Sequence, residues 1–298
     1  MRPRIYWFSA TGNSLVVARD LHSMLDSELR SIRSGLHPDD FATFECCILV
    51  FPVYHATFGE SGIPSPVSAF INRHLAGKAT RVYAVVTHDG FPGSTVRNLD
   101  QMLRTSGGHL SAGLCVKAGV PYRAGAKLRH AMGIGDLAVD EAQDQNQRTA
   151  LRQEWREKLL TIAALAETGR QGPLEGIGPL GARLLEPWLG LQKWMAIARY
   201  QRLVTEGGLS CFRDLVARSD QAFVVSEACT GCGICARVCP VGNITILDRT
   251  PSWSGNCENC FACFQWCPEG AISGKVVEYT KRWRWPGVRA ADFYAASV

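Results

Sequence analysis

Cys229–Asn243, CTGCGICARVCPVGN, returns 28 residues later as a near copy, Cys257–Ala271, CENCFACFQWCPEGA. Each run spaces its four cysteines by two, two and three residues and closes on a proline, Pro240 or Pro268. Three cysteines on a tight loop can wrap one iron–sulfur cubane. The fourth, at the start of a helix, points away and completes the other cubane. On that rule Cys229, Cys232, Cys235 and Cys267 hold one 4Fe–4S cluster, and Cys257, Cys260, Cys263 and Cys239 hold the second. Gly231 and Gly233 permit close approach of the backbone to the sulfurs. Zinc also takes four thiolates, but it requires neither the successive x2 steps nor a proline-flanked fourth cysteine, and still less their duplication. Two 4Fe–4S clusters are the reading.

These motifs fill only the last quarter of a 298-residue chain, which has room for two modest domains. With 46% hydrophobic and 20% charged residues the composition is that of a globular protein. The opening MRPRIYWFSATGNS starts basic, but its apolar run breaks at Thr11-Gly12-Asn13, too short for a signal peptide. No uncharged apolar run approaches the ~20 residues that span a bilayer. The predicted compartment is cytoplasmic, where thiolate-bound metal fits twelve cysteines better than disulfides do. Cys46, Cys47, Cys115 and Cys211, outside the motifs, read as core residues. The formal charge of +5 is offset by roughly −2 for each cluster with its thiolates and up to about −2 for a flavin phosphate. The loaded protein is near neutral, so its charge gives no reason to expect nucleic acid as a partner.

Residues 1–120 alternate strand and helix periods. RIYWFS (Arg4–Ser9), ELRSIR, CCILVFPVY (Cys46–Tyr54), RVYAVVT (Arg81–Thr87) and LSAGLCVKA read as strands. SLVVARDLHSML, SPVSAFINRHL and STVRNLDQMLRTSGG read as helices. Such alternation predicts an α/β doubly wound parallel sheet, order 2-1-3-4-5, covered on both faces. The turn FSATGNS (Phe8–Ser14) places hydroxyls at Ser9, Thr11 and Ser14, a bare Gly12 and the amides of a helix start where they can cradle a phosphate. It lacks the lysine of a triphosphate loop and two of the glycines of a dinucleotide loop, which leaves a monophosphate. PVYHATFGES (Pro52–Ser61) and THDGFPGS (Thr87–Ser94) follow neighbouring strands at the crevice where open α/β sheets bind ligands. Tyr54, Phe58, His88 and Phe91 in them can flank a flat ring, while Gly59, Gly90 and Gly93 let amides approach its edges. Three such loops predict a flavin.

The first 120 residues resemble a flavodoxin, SATGNS matching that family's Ser/Thr-x-Thr-Gly-Asn-Ser/Thr phosphate loop. Residues 222–275 resemble a bacterial ferredoxin with two 4Fe–4S clusters. With TPSWSGNCENCFACFQWCP and the tail KRWRWPGVRAADFY, the chain is similar to the family of fused flavodoxin-domain ferredoxins. That resemblance implies a flavodoxin-like FMN domain at 1–125 and a small α+β ferredoxin domain at 222–275, with a mainly helical connector at 126–221 and a tail at 276–298. It also implies non-covalent FMN. Ser9, Thr11, Gly12, Asn13 and Ser14 would hold the phosphate; Pro52, Val53, Tyr54, Phe58 and Gly59, with Thr87, His88, Asp89, Gly90, Phe91 and Gly93, would hold the ring. Unlike ordinary flavodoxins, residues 1–125 carry twelve Lys/Arg against nine Asp/Glu.

In the connector, 140–168 reads as a solvated bracing helix and 169–181 as a glycine-proline break. Trp188–Val204 reads as a helix packed on one of the domains, with a membrane-surface role as the lesser alternative. Trp283, Arg284 and Trp285 predict cation–π contacts within the fold. The expected function is electron transfer between a soluble low-potential donor and an acceptor enzyme through FMN and two clusters. The second expectation is an FMN-dependent reductase of a small unsaturated or quinone-like substrate, fed by the clusters, with Tyr54, His88 or Tyr122 as proton donor.

Overall fold

The computed structural model describes residues 2–33, 45–77, 80–118, 141–205, 207–278 and 282–294. Five apolar runs form β1 (Arg4–Trp7), β2 (Glu28–Ser31), β3 (Cys46–Pro52), β4 (Arg81–His88) and β5 (Leu110–Lys117). They pair in parallel in the order 2-1-3-4-5, the doubly wound flavodoxin-like arrangement expected. β3 reads as an unbroken apolar run because both faces of the sheet are covered. α1 (Asn13–His22) lies on one face, and α2 (Ser65–His74) and α3 (Thr95–Thr105) on the other.

The helix expected to be a solvated brace is part of this domain. α4 (Glu141–Thr168) buries Trp155, Leu159, Ile162 and Ala166 in one core with Leu15 and Leu21 of α1 and Val85 and Leu114 of the sheet. Trp155 donates its indole N–H to Asp20 at 3.0 Å, and Tyr83 donates its hydroxyl to the Leu165 carbonyl at 3.0 Å. The sheet domain therefore extends past residue 125, and α4 takes the place beside α1 on that face of the sheet. The glycine-proline stretch after it is also no mere break. Its backbone pairs along β5, with Gly113 N–H donating to Pro173 and Glu175 N–H to Gly113, both at 2.9 Å. That covers an edge which would otherwise present unpaired amides.

α5 (Pro179–Gln201) then crosses above the loops that follow β3 and β4, tied by Lys193–Glu60 at 2.9 Å and by an edge contact of Trp188 on Phe91. α6 (Phe212–Arg218) sets Phe212 against Phe58, His55 and Tyr200. Cys211, just before it, is exposed and not a core residue; Cys46, Cys47 and Cys115 are buried.

The C-terminal unit comprises a ribbon of β6 (Val224–Val225) with β9 (Ile272–Ser273), a hairpin of β7 (Ile244–Leu247) and β8 (Thr250–Trp253), and the short helices α7 (Ile234–Val238) and α8 (Ala262–Trp266). It sits directly on the carboxyl end of the sheet. Trp266 is buried and donates its indole N–H to Ala10 O at 2.7 Å. Residues 282–294 wrap back over the same place and bury Trp283, Trp285, Val288 and Phe293 in the α1–α4 core. The expected cation–π contacts form with partners from elsewhere: Arg284 lies over Trp266, and Arg148 of α4 over both Trp283 and Trp285.

A second junction joins His55 and Glu258. The His55 ring lies beside the Glu258 backbone with its Nε2 buried and without a hydrogen-bond partner, and the Glu258 carboxylate accepts the Ser65 N–H at the start of α2 at 3.3 Å. Burial pushes the His55 imidazole from 6.5 down to about 4, against the opposing pull of the nearby Glu258 backbone. His88 is also lowered to about 4, by burial and by the nearby Lys158 and Lys117.

Two outcomes follow. Leu159→Ala should cost about 2–4 kcal/mol in chemical denaturation, because it opens a cavity in the sheet core; a solvated brace would lose almost nothing. Both histidines are neutral in the folded chain, and the unfolded chain binds their protons first. Stability should therefore fall as pH drops from about 6.5 toward about 4. Thermal melts across that window should show the fall, and His55→Gln should flatten the slope without abolishing it.

Candidate functional site

The two cysteine runs fold as one motif twice. Gly231 and Gly233 adopt left-handed backbone at φ 70° and 72°. At the matching positions of the second run, Asn259 and Phe261 do the same at φ 52° and 58°. The glycines at these turns are thus a conformational need that the second loop meets with an asparagine and a strained phenylalanine. Gly231 also has no room for a side chain, since a Cβ would lie 2.8 Å from Arg249. Cys239 and Cys267 each follow a five-residue helix, α7 or α8, in the same extended conformation.

That geometry exchanges the fourth cysteines. One cavity is lined by Cys229, Cys232, Cys235 and Cys267 with Ile246 and Ile272. The other is lined by Cys239, Cys257, Cys260 and Cys263 with Phe223 and Phe261. Among the described residues no three His, Cys, Asp or Glu side chains gather tightly enough for a single metal ion. Thiols set around a cavity suit the corners of a bulky cluster rather than a tetrahedral ion. Backbone amides reach two of the sulfurs, Asn243 N–H to Cys239 and Asn259 N–H to Cys257, each at 3.3 Å. Burial raises the thiol of Cys257 to about 12, that of Cys235 to about 11, and that of Cys260 well above its usual value. Metal loading must displace those protons. Each set has two buried cysteines, Cys235 and Cys267 in the first and Cys239 and Cys263 in the second, but Cys232 of the first set is exposed while no cysteine of the second is.

The three sheet loops stand against this unit. In the first, Gly12 is left-handed at φ 101° and donates its N–H to the Ser9 hydroxyl at 3.2 Å. A Cβ on Gly12 would meet the Trp285 and Val288 side chains at 3.2 Å, and Trp285 N–H donates to Thr11 O. The bare glycine therefore serves the tail that packs over this loop as well as the turn. Ser14 is fully buried and shares a hydrogen bond with Thr87 at 2.8 Å, which fastens the first loop to the third. α1 has no acidic residue in its first turn, so its positive end is uncompensated. The Asn13 side-chain oxygen is buried without a hydrogen-bond partner, an acceptor that a ligand hydroxyl can satisfy.

In the second loop Val53 N–H donates to Thr87 O at 2.8 Å, His55 and Gly59 are left-handed, and Phe58 packs on Phe212. Tyr54 packs edge-on against Phe8 and lies near Cys257, Cys260 and Glu258; burial first, then those groups, holds its hydroxyl well above its usual range. It thus stands between Phe8 of the sheet domain and the second cysteine set. In the third loop His88 accepts the Gly90 N–H on Nδ1 at 3.1 Å, Asp89 is exposed, and Gly93 brings its backbone against Ala56. Tyr122 lies outside the described residues. A cavity of about 450 Å³, lined by Phe58, Gly59, Arg183, Glu186, Leu189 and Lys193 among others, opens between the second loop and α5.

Sequence reasoning missed His55, Glu258 and Trp266 as the residues joining the two units. Trp266 had a signal, an aromatic directly before a motif cysteine; His55 and Glu258 had none. No helix among the described residues is long and apolar enough to cross a membrane.

Residues 222–245 match the 4Fe–4S binding domain family. No curated protein matches the chain. Solved structures similar to it include the two-electron reduced flavodoxin of Megasphaera elsdenii, with 19% identity over 38% of this chain and 85% of that one and a TM-score of 0.32. The flavodoxin of Streptococcus pneumonia TIGR4 is similar at 18% identity over 55% of this chain and 98% of its own, TM-score 0.33. A short-chain flavodoxin associated with a non-canonical PDU bacterial microcompartment is similar at 18% identity over 41% of this chain and 86% of its own, TM-score 0.30. By its strand order and its matched cysteine domain, the chain joins a flavodoxin-like α/β fold to a 4Fe–4S binding domain.

Proposed function

We propose that the protein is an iron–sulfur flavoprotein that passes electrons between a low-potential donor and a partner through FMN and two 4Fe–4S clusters. One observation carries the reading: two cavities, each lined by three cysteines of one run and the fourth cysteine of the other, belong to a unit that sits on a loop of a flavodoxin-like sheet. In this reading Cys229, Cys232, Cys235 and Cys267 hold one cluster, and Cys239, Cys257, Cys260 and Cys263 the other. Ser9, Thr11, Gly12, Asn13 and Ser14 hold the FMN phosphate through hydrogen bonds and the α1 end, and the Pro52–Gly59 and Thr87–Gly93 loops hold the ring. When bound, FMN supplies exchange of electrons singly or in pairs, and each cluster exchanges one at a time.

The chain's own residues set the order. Cys232 is exposed, so an outside redox protein meets the first set. Tyr54 and His55 adjoin the second set, which makes it the neighbour of the flavin loops. Phe223, Trp253 and Phe261 keep water from that second cavity, and exclusion of water tunes a cluster's potential.

The alternative, a reductase of a small unsaturated or quinone-like substrate, is favoured by the cavity beside Phe58 and Gly59. Saturable reoxidation of the reduced protein by a soluble quinone, weakened by Lys193→Ala, would establish it. A linear dependence on quinone concentration, unchanged in that variant, would leave the carrier reading.

Anaerobically purified protein should contain about eight irons and one FMN per chain. Cys267→Ala, although in the second motif, should remove the first cluster and leave about four irons. Zinc as the tightly held metal, or loss of the second cluster in that variant, would sink the assignment.

A further inference from the structure

α5 has two apolar faces, and only one is used. Its inner side packs Ala196 against Phe212 and brings Leu189 and Lys193 to Phe58 and Gly59. The opposite side presents Leu180, Leu184, Leu191, Trp194 and Met195, with Leu180 73% and Trp194 67% exposed, and Trp188 stands at its edge, half exposed and touching Phe91. These six are the majority of the nine large hydrophobics exposed among the described residues, so the patch is not ordinary surface scatter. Steps of three and four residues align them in one strip roughly 22 Å long on the helix axis.

The charges around the strip have one sign. Exposed Arg183 and Arg199 border it, and exposed Arg202 stands at its C-terminal end. Glu186, the only acidic residue of the helix, is exposed on the side of the inner cavity, which it lines with Lys193 and with Arg183 at its margin.

We propose that this strip docks the protein on an anionic bilayer surface, the helix lying in the interface plane. Leucines and tryptophans would enter the boundary between headgroups and acyl chains, and the arginines would meet lipid phosphates. The strip holds no hydrogen-bonding side chain except the two indole N–H groups, which suit an interface wet at one end. A protein groove would need polar groups to fix register. Pairing with a second copy would set the bordering arginines against each other with no acidic residue between them. The inference is independent of the flavin reading, because it rests on α5 alone and its test does not read electron transfer.

Flotation of the cofactor-loaded chain with vesicles of phosphatidylglycerol in phosphatidylcholine tests it. The protein should float with these vesicles and not with phosphatidylcholine alone, and less so as salt rises. Leu184→Ser with Leu191→Ser should cut the bound fraction by about tenfold or more at unchanged iron content, since both side chains are solvent-exposed. Arg183→Gln with Arg202→Gln should weaken binding and blunt its salt dependence. Equal flotation of wild type and the double-serine variant would overturn the proposal. So would no flotation on anionic vesicles, including the case of a wild-type dimer that the serine substitutions convert to monomer.

Discussion

The fold depends on one contact: an indole from the cysteine-rich unit donating into the phosphate-type loop of the sheet domain. Trp266 sits one residue before Cys267 and bonds Ala10, between Ser9 and Thr11. A buried indole N–H without a partner costs on the order of 1–3 kcal/mol, so the bond and the close packing require each other. It fixes the cysteine unit at the carboxyl end of the strands rather than on a face of the sheet. That is the end where an open α/β sheet offers its binding crevice. The Glu258 carboxylate, which accepts the Ser65 N–H, supplies a second attachment, so the unit is held at two points and its orientation is set.

The tail and α4 make the arrangement permanent. Trp283 and Trp285 lie under the Arg148 guanidinium, and Phe293 packs against both Trp7 and Trp266. Arg33, just past β2, donates to the carbonyls of Phe293, Arg237 and Cys239 and so ties sheet, tail and cysteine unit together. Burial lowers the affinity of that guanidinium for its proton, with the Cys239 thiol opposing. This density of cross-contacts is unlike two domains on a linker, and it explains why the middle of the chain is not one.

Much of this was legible in the sequence. Buried parallel strands leave continuous apolar runs, and cluster-type cysteine spacing has few other uses, so both could be read directly. α4 was misread because its first turns are rich in Gln, Glu and Arg. The buried stride through Trp155, Leu159, Ile162 and Ala166 is present, but such a stride does not say what covers it. α5 packs on the sheet loops as expected of Trp188–Val204, but it begins earlier, at Pro179, and carries a second apolar side that periodicity alone does not separate from the first. Gly12 had two explanations, a ligand's approach and a tail's, and only tertiary contact reveals the second. The left-handed Asn259 and Phe261 could be inferred from the glycines of the first repeat once the duplication was recognised.

The central claim is that a flavin and two iron–sulfur clusters share the carboxyl end of one sheet. Diffraction at the iron absorption edge, from crystals grown without air, tests it most directly. The account predicts anomalous density in both four-cysteine cavities and flavin density spanning the Ser9–Ser14 loop to the Phe58 and Phe91 loops, beside Tyr54. Zinc-edge signal in the cavities, or iron there with the crevice above the sheet filled only by protein and water, would contradict it.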